Sequence, residues 1–160
     1  MKRPLAYITA PWGSKDFDNR ENAARYARVL DPSMEGQADV VLADLPCSGL
    51  GIMGKKPEIR LRLKEEELFT LAGLQREILA VVSRYVKPGG TLIYSTCTIS
   101  REENEENAEW IERELPFLPK EIGPLLPANV REDCRENRIQ LLPGVHPCDG
   151  FFLSAFTKQE

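Results

Sequence analysis

The sequence predicts an α/β fold, in which helices cover the faces of a sheet of largely parallel strands. Residues 39–44 and 91–95 are short β-prone runs with apolar centres, the composition of strands buried on both faces. A long helical pattern lies between them, and a strand–helix–strand order favours parallel pairing of the two strands. A length of 160 residues fits a single domain over residues 1–160.

The beginning of the chain contains one predicted strand and one predicted helix. Residues 6–9 form a short β-prone run that Pro11 closes. Asn19 is in position to cap a helix over residues 20–30, where Ala, Arg and Glu dominate. This part of the chain therefore has room for about one strand–helix unit before the first buried strand.

The remaining elements continue the alternation. A helix is predicted over residues 65–86 because apolar residues recur there every three or four positions, and the Lys-Pro-Gly-Gly segment at 87–90 ends it. An acidic helix is predicted near residues 101–115. Two apolar runs, 139–142 and 151–156, predict a closing pair of antiparallel strands.

The composition narrows the class of function. Hydrophobic residues make up 42% and charged residues 29%, which is typical of a globular protein. The formal net charge of −4 argues against nucleic-acid binding by bulk charge, although a local basic patch can still bind RNA. No apolar run reaches the roughly 20 residues of a membrane span, and no apolar signal segment opens the chain. We therefore expect a cytoplasmic protein with reduced thiols and no membrane partner.

Two of the four cysteines follow the two buried strands directly. Cys47 lies in the turn-rich loop 45–51, and Cys97 lies in the loop 96–100. Ligands of open α/β sheets bind at the carboxyl ends of the strands, so neighbouring strands would place both thiols in one crevice. The alternatives are a buried small apolar residue for either cysteine, or a dithiol redox pair, which the absence of a Cys-X-X-Cys motif disfavours. With a single histidine and no such motif, the sequence predicts no metal site.

Several motifs, in order along the chain, resemble those of RNA cytosine-5 methyltransferases. The Pro-Cys block reads ADLPCSGLG at 43–51, and the Thr-Cys block reads YSTCTI at 94–99. Four further blocks agree in order, namely LQREIL at 74–79, YVKPGG at 85–90, LLPG at 141–144 and DGFF at 149–152. The resemblance covers roughly residues 27–157 and is closest to the bacterial B-type methyltransferases of small-subunit ribosomal RNA.

This resemblance implies a fold, a reaction and three catalytic residues. The fold is the Rossmann-like class I fold of S-adenosylmethionine-dependent methyltransferases, mostly parallel with a C-terminal antiparallel strand. The substrate is a ribosomal RNA cytosine, whose C5 becomes nucleophilic after a thiolate adds to C6. The resemblance assigns that attack to Cys97, the hold on the cytosine N3 and N4 edge to Asp44, and a part in product release to Cys47. The target base must leave its stack to reach such a pocket.

Beside the Pro-Cys block lies a basic segment, which we define as residues 54–64. Its five cations predict contacts between this segment and RNA phosphates. The alternative is a surface loop whose charges are only solvated. These cations are Lys55, Lys56, Arg60, Arg62 and Lys64.

The helix after Cys97 has the opposite charge. Its acids would repel RNA, so we interpret them as a solvated face that points away from the substrate. They are Glu102, Glu103, Glu105, Glu106, Glu109, Glu112 and Glu114.

The chain also departs from the family pattern in its cofactor site. No glycine-rich loop precedes Asp44, and the only glycines before it are Gly13 and Gly36. This leaves Asp44 and Pro46 as the residues assigned to the cofactor. We therefore expect residues 39–160 to form the catalytic half of a methyltransferase, residues 1–38 to be diverged or truncated, and S-adenosylmethionine to bind weakly or not at all.

The same departure would leave an apolar edge on the strand that ends at Asp44. Either the strand near Ala6 covers this edge, or two copies of the chain pair there as a homodimer. Three functions stay open at this point: an RNA cytosine-5 methyltransferase, a non-catalytic RNA-binding or assembly module, and an amino-group methyltransferase suggested by Asp44-Leu45-Pro46. An amino-group methyltransferase needs no thiol, so Cys97 argues against it.

Overall fold

The computed structural model describes residues 5–9 and 31–160. The helix predicted over residues 20–30 lies outside the described residues. The strands in the described part are β1 Leu5–Thr9, β2 Ala38–Asp44, β3 Val86–Thr96, β4 Phe117–Pro119, β5 Arg138–Leu141 and β6 Phe151–Lys158. The α-helices there are α1 Ile59–Arg62, α2 Glu65–Val82, α3 Glu105–Glu114 and α4 Ala128–Arg131, and short 3₁₀ turns cover Pro32–Met34, Leu50–Ile52, Ser83–Tyr85 and Gly123–Leu125.

All of these strands belong to one mixed sheet. Its order is β1-β2-β3-β6-β4, and β5 also pairs with β6. The pairs β1–β2 and β2–β3 are parallel, whereas β6 is antiparallel to β3, β4 and β5. The Rossmann-like α/β class is confirmed, with its C-terminal antiparallel strand. Because β1 pairs with β2 along its whole length, the strand near Ala6 covers the edge that the sequence left exposed.

A bulge in β3 changes the register between the two central strands. Ala38 lies opposite Val86, and Val40 lies opposite Thr91. Between these two pairs, β2 has one residue, Asp39, whereas β3 has the four residues 87–90. A β-carbon on Gly90 would lie 2.8 Å from the Lys87 carbonyl oxygen, so this crowded turn requires glycine.

The main core lies between one face of the sheet and helices α2 and α3. Val41 and Leu92 point to this face from neighbouring strands, and Phe156 joins them from β6. Ile78 of α2 and Ile111 of α3 pack against them and are buried. A smaller cluster on the opposite face lies beneath the segment between β4 and β6, and its buried members are Ile122, Ile139 and Ala155.

Most boundaries follow the predicted pattern, with three differences. Helix α2 ends at Val82, and β3 begins at Val86, five residues before the predicted start of that strand at residue 91. Helix α3 begins at Glu105, so the acids before it form a turn. Strand β4 was not predicted. In residues 5–9 and 31–160, no helix is long and apolar enough to cross a membrane.

Candidate active site

The two predicted cysteine loops meet at the carboxyl edge of the parallel strands. Asp44 ends β2 and lies opposite Ser95 of β3, so Cys47 follows this level by three residues and Cys97 by two. The Sγ atoms of Cys47 and Cys97 are 3.3 Å apart. The two thiols therefore lie together at this edge, as expected if β2 and β3 are neighbours.

The two thiols differ in their acidity. The hydrogen bond with Cys47 lowers the pKa of Cys97, against the opposing effects of burial and the Asp44 charge. The same hydrogen bond, together with burial, raises the pKa of Cys47 well above its usual value. These opposite shifts favour Cys97 over Cys47 as the sulfur that ionises first, an arrangement that could supply a nucleophile and a proton donor side by side.

Asp44 lies half-buried beside this pair. The Ser95 hydroxyl donates to Asp44 Oδ1 at 3.3 Å. Burial raises the pKa of Asp44, and the weak hydrogen bond from Ser95 only partly opposes this effect. The side chain is therefore suited to hold a proton more readily than an ordinary aspartate, and to share it with a bound group.

Glu103 is a buried carboxylate that the sequence interpretation placed on a solvated face. That interpretation is wrong for this residue, whose exposed fraction is 0%. Its carboxylate accepts hydrogen bonds from the Ser48 backbone N–H at 3.0 Å, from the Ser48 hydroxyl at 2.5 Å and from Gln75 Nε2 at 2.8 Å. Burial raises the pKa of Glu103, and these hydrogen bonds work against that rise.

A buried network of polar side chains fixes the orientation of the Gln75 amide group. Tyr94 Oη donates to Gln75 Oε1 at 3.0 Å, and Asn107 Nδ2 donates to the same oxygen at 2.7 Å. With its oxygen so occupied, Gln75 must direct its amide NH₂ toward Glu103 and the Pro46 carbonyl oxygen. In the sequence, Gln75 is a polar residue at a core position of α2, and this pattern indicates a buried hydrogen-bond partner.

A third loop crosses the two cysteine loops through a pair of glycines. Gly51 N donates to the Cys97 carbonyl oxygen at 3.1 Å, and Gly150 N donates to the Gly51 carbonyl oxygen at 2.8 Å. A β-carbon on Gly51 would lie 2.2 Å from the Gly150 carbonyl oxygen. The DGFF block therefore locks the Pro-Cys and Thr-Cys loops together, which requires glycine at both crossing positions.

The basic segment lies at the surface directly after the Pro-Cys loop. Lys55 Nζ forms an ion pair with Asp149 Oδ2 at 2.5 Å, with 73% and 39% of the two side chains exposed. Arg60 and Lys64 are exposed and Lys56 is half-buried, whereas the side chain of Arg62 lies outside the described residues. The ion pair thus connects the basic segment to Asp149, which directly precedes Gly150 at its contact with Gly51.

No three His, Cys, Asp or Glu side chains within residues 5–9 and 31–160 are placed to hold a metal ion. The two remaining cysteines are free thiols: Cys134 is half-buried and Cys148 is exposed. His146 accepts a hydrogen bond from the Leu142 backbone N–H at 2.9 Å, and its Nε2 lies 3.2 Å from Asp133 Oδ2. These contacts give His146 a structural role in the loop between β5 and β6.

Comparisons with known proteins agree with this geometry. The family model described as 16S rRNA methyltransferase RsmB/F matches residues 20–157. Ribosomal RNA small subunit methyltransferase F of Citrobacter koseri is 36% identical over 135 residues, which are 82% of this chain and 28% of that protein. The chain therefore spans less than a third of the length of this curated relative.

Solved structures extend the likeness to three dimensions. The crystal structure of PH0851 superposes with a TM-score of 0.72 at 31% identity, over 98% of this chain and 37% of that one. NSun6 from Pyrococcus horikoshii, crystallised with SFG, superposes with a TM-score of 0.61 at 28% identity, over 75% of this chain and 30% of that one. The likeness to PH0851 thus extends over nearly the whole chain.

Proposed function

The chain belongs to the RsmB/F family of 16S rRNA methyltransferases, and we propose that it carries the catalytic residues for methylation of cytosine C5 in ribosomal RNA. The observation that supports this most directly is the thiol pair. Cys97, whose pKa is lowered by its hydrogen bond with Cys47 at 3.3 Å, lies beside a half-buried Asp44 at the carboxyl edge of the parallel strands. This combination suits covalent activation of a pyrimidine ring.

The first step is addition of the Cys97 thiolate to cytosine C6. A bond forms between Sγ and C6, the C5–C6 π pair moves to form a C4–C5 double bond, and the C4–N3 π pair moves onto N3, which takes a proton. The product is an enamine whose C5 carries the nucleophilic electron pair that free cytosine lacks. The lowered pKa of Cys97 supports this step, because it increases the thiolate fraction near neutral pH.

Asp44 supplies the complement to the cytosine edge. Cytosine presents an acceptor at N3 and a donor at its exocyclic amino group, and a protonated carboxyl offers one donor and one acceptor. The raised pKa of Asp44 favours this protonated form, so the residue can deliver its proton to N3 as the thiolate adds.

Cys47 acts when the methylated base is released. The C5 proton passes to solvent water, its electron pair re-forms the C5–C6 double bond, and the Sγ–C6 bond breaks with its electron pair on Sγ. The N3 proton returns to Asp44. Because Cys47 stays a thiol, its S–H can donate to the departing Cys97 sulfur and stabilise the thiolate that forms.

S-adenosylmethionine would supply the methyl group, and the described residues fit only part of such a site. Asp44 lies level with Thr9 at the carboxyl ends of β1 and β2, where ligands of this sheet type bind. Asp44 and Pro46 are the residues proposed to touch the cofactor, and SFG in NSun6, an analogue of S-adenosylmethionine, supports the cofactor class. Without a glycine-rich loop before Asp44, we expect weak binding, which micromolar affinity in a calorimetric titration would contradict.

The RNA would approach from the side of the basic segment. Lys55, Lys56, Arg60, Arg62 and Lys64 are the proposed phosphate contacts, and a ribosomal RNA substrate implies a cytoplasmic location. Since β1 covers β2, a homodimer at this end of the sheet would form at β1, the strand that ends the described sheet on this side.

A covalent trap tests the proposal. RNA containing 5-fluorocytosine has no C5 proton to lose, so with S-adenosylmethionine present the Sγ–C6 bond should persist and the adduct should appear by mass spectrometry. Cys97→Ala should abolish the adduct, and Cys134→Ser, which changes a thiol remote from the pair, should retain it. An adduct on the Cys97→Ala variant would overturn the nucleophile assignment.

The alternative is a non-catalytic RNA-binding or assembly module, in which residues 43–51 and 94–99 serve the structure alone. It predicts RNA binding with no adduct from the wild-type chain. An amino-group methyltransferase has no use for the thiol pair and is not proposed.

A further inference from the structure

We propose that Glu103 is a positioning residue for the thiol pair: through Ser48 it fixes the loop that carries Cys47, and its charge disfavours a thiolate at Cys47. The inference rests on the proposed function, because it explains how two adjacent thiols take different roles. Glu103 does not reach the reacting atoms and acts through its neighbours.

The first support is the way the carboxylate is bound. Glu103 is fully buried, and no Lys or Arg of the described residues forms an ion pair with it. Its charge is stabilised instead by neutral donors, two of them from Ser48 and one from Gln75. Burying an unpaired carboxylate is costly, so its three-donor cradle indicates a function that an apolar residue could not fulfil.

The second support is the fixed orientation of that cradle. Arg76 Nε donates to Asn107 Oδ1 at 2.7 Å, which leaves Asn107 Nδ2 to donate to Gln75. Gln75 then donates to both the Pro46 carbonyl oxygen and Glu103. One hydrogen-bonded network therefore holds the residues on each side of Cys47, Pro46 through Gln75 and Ser48 through Glu103. It fixes the backbone from which the Cys47 thiol extends toward Cys97.

The third support is electrostatic. The titratable groups that face Cys47 are Cys97, Glu103 and Tyr94, and Asp44 faces Cys97. Tyr94 is fully buried and stays neutral, since burial raises its pKa well above the usual value. The negative charge of Glu103 adds to the rise in the pKa of Cys47. The same charge opposes the lowering of the pKa of Cys97, where the hydrogen bond with Cys47 has the largest effect, so Cys47 is the thiol that retains its proton.

The test titrates Cys47 alone. In the full chain with Cys97, Cys134 and Cys148 replaced by serine, iodoacetamide alkylation of Cys47 is followed by mass spectrometry from pH 7 to 11. Glu103→Gln should lower the midpoint by about one pH unit, equivalent to roughly tenfold faster alkylation below the midpoint. Glu102→Gln is the matched control, because this neighbouring acid is bonded only to Ser100 and should leave the midpoint unchanged.

Three results would overturn the inference: an unchanged midpoint in folded Glu103→Gln, an equal shift in Glu102→Gln, or loss of the folded circular dichroism spectrum in Glu103→Gln. The last result would mean that the carboxylate serves the fold alone. The titration uses neither RNA nor cofactor. A wild-type chain that forms no RNA adduct would therefore reject the proposed function and leave the role of Glu103 to be judged by the titration.

Discussion

Removal of the Cys47 thiol should raise the pKa of Cys97. The lowered pKa of Cys97 depends first on the hydrogen bond from Cys47, across 3.3 Å between the two sulfurs. A hydrogen bond to a charged group contributes roughly 1.5–3 kcal/mol, and a thiol is a weak donor, so we take about 1.4 kcal/mol. That free energy corresponds to about one pKa unit, or about tenfold slower alkylation of Cys97 near neutral pH.

The assay follows iodoacetamide alkylation of Cys97 from pH 6 to 10, in chains whose Cys134 and Cys148 are serine. Cys47→Ala removes the donor and should move the midpoint upward. Cys47→Ser keeps an O–H donor at the same position and should retain most of the lowered pKa. An unchanged or lower midpoint in Cys47→Ala would refute the reasoning, because the reactivity of Cys97 would then not depend on its neighbour.

Three further outcomes are expected. Burial raises the folded-state pKa of Asp44 above 3.8, so this carboxyl stabilises the fold at low pH and loses that contribution as the pH rises through the raised value. The melting temperature of the wild type should therefore fall relative to that of Asp44→Asn between pH 3.5 and 7. The opposite trend would contradict the raised pKa. Gly150→Ala should lower the free energy of unfolding in urea by about 3 kcal/mol, because its β-carbon would lie 2.6 Å from the crossing backbone. Gly73→Ala, at an open position of helix α2, should raise the free energy of unfolding by roughly 0.5–1 kcal/mol. Equal effects of the two substitutions would argue against a close contact between the Gly51 and Gly150 backbones. Asp149→Asn should break the ion pair with Lys55 and leave this lysine available for an RNA phosphate. The plot of log binding constant against log salt concentration should then be steeper by about 0.7. An unchanged slope would mean that Lys55 does not contact the RNA.

The sequence predicted the meeting of Cys47 and Cys97 because parallel strands share one carboxyl edge, a rule that needs only the element order. It did not predict β4, since the prolines around Phe117 indicate an end to structure and three residues are too few to show a period. Burial of Glu103 was missed for a related reason. The residue precedes the first turn of α3, where helical periodicity gives no information, and its glutamate neighbours made a solvated face the natural interpretation.

The register between β2 and β3 could not be predicted, and the site depends on it. Before the bulge over residues 87–90, the pairing would place Asp44 opposite Leu92; after it, Asp44 lies opposite Ser95. Three residues of strand correspond to about 10 Å, so without the bulge Cys97 would extend about that far beyond its present level. The segment predicted to end a helix therefore sets the level of Cys97 along the sheet. The glycines of YVKPGG thus contribute to the chemistry of the thiol pair from the opposite end of the strand.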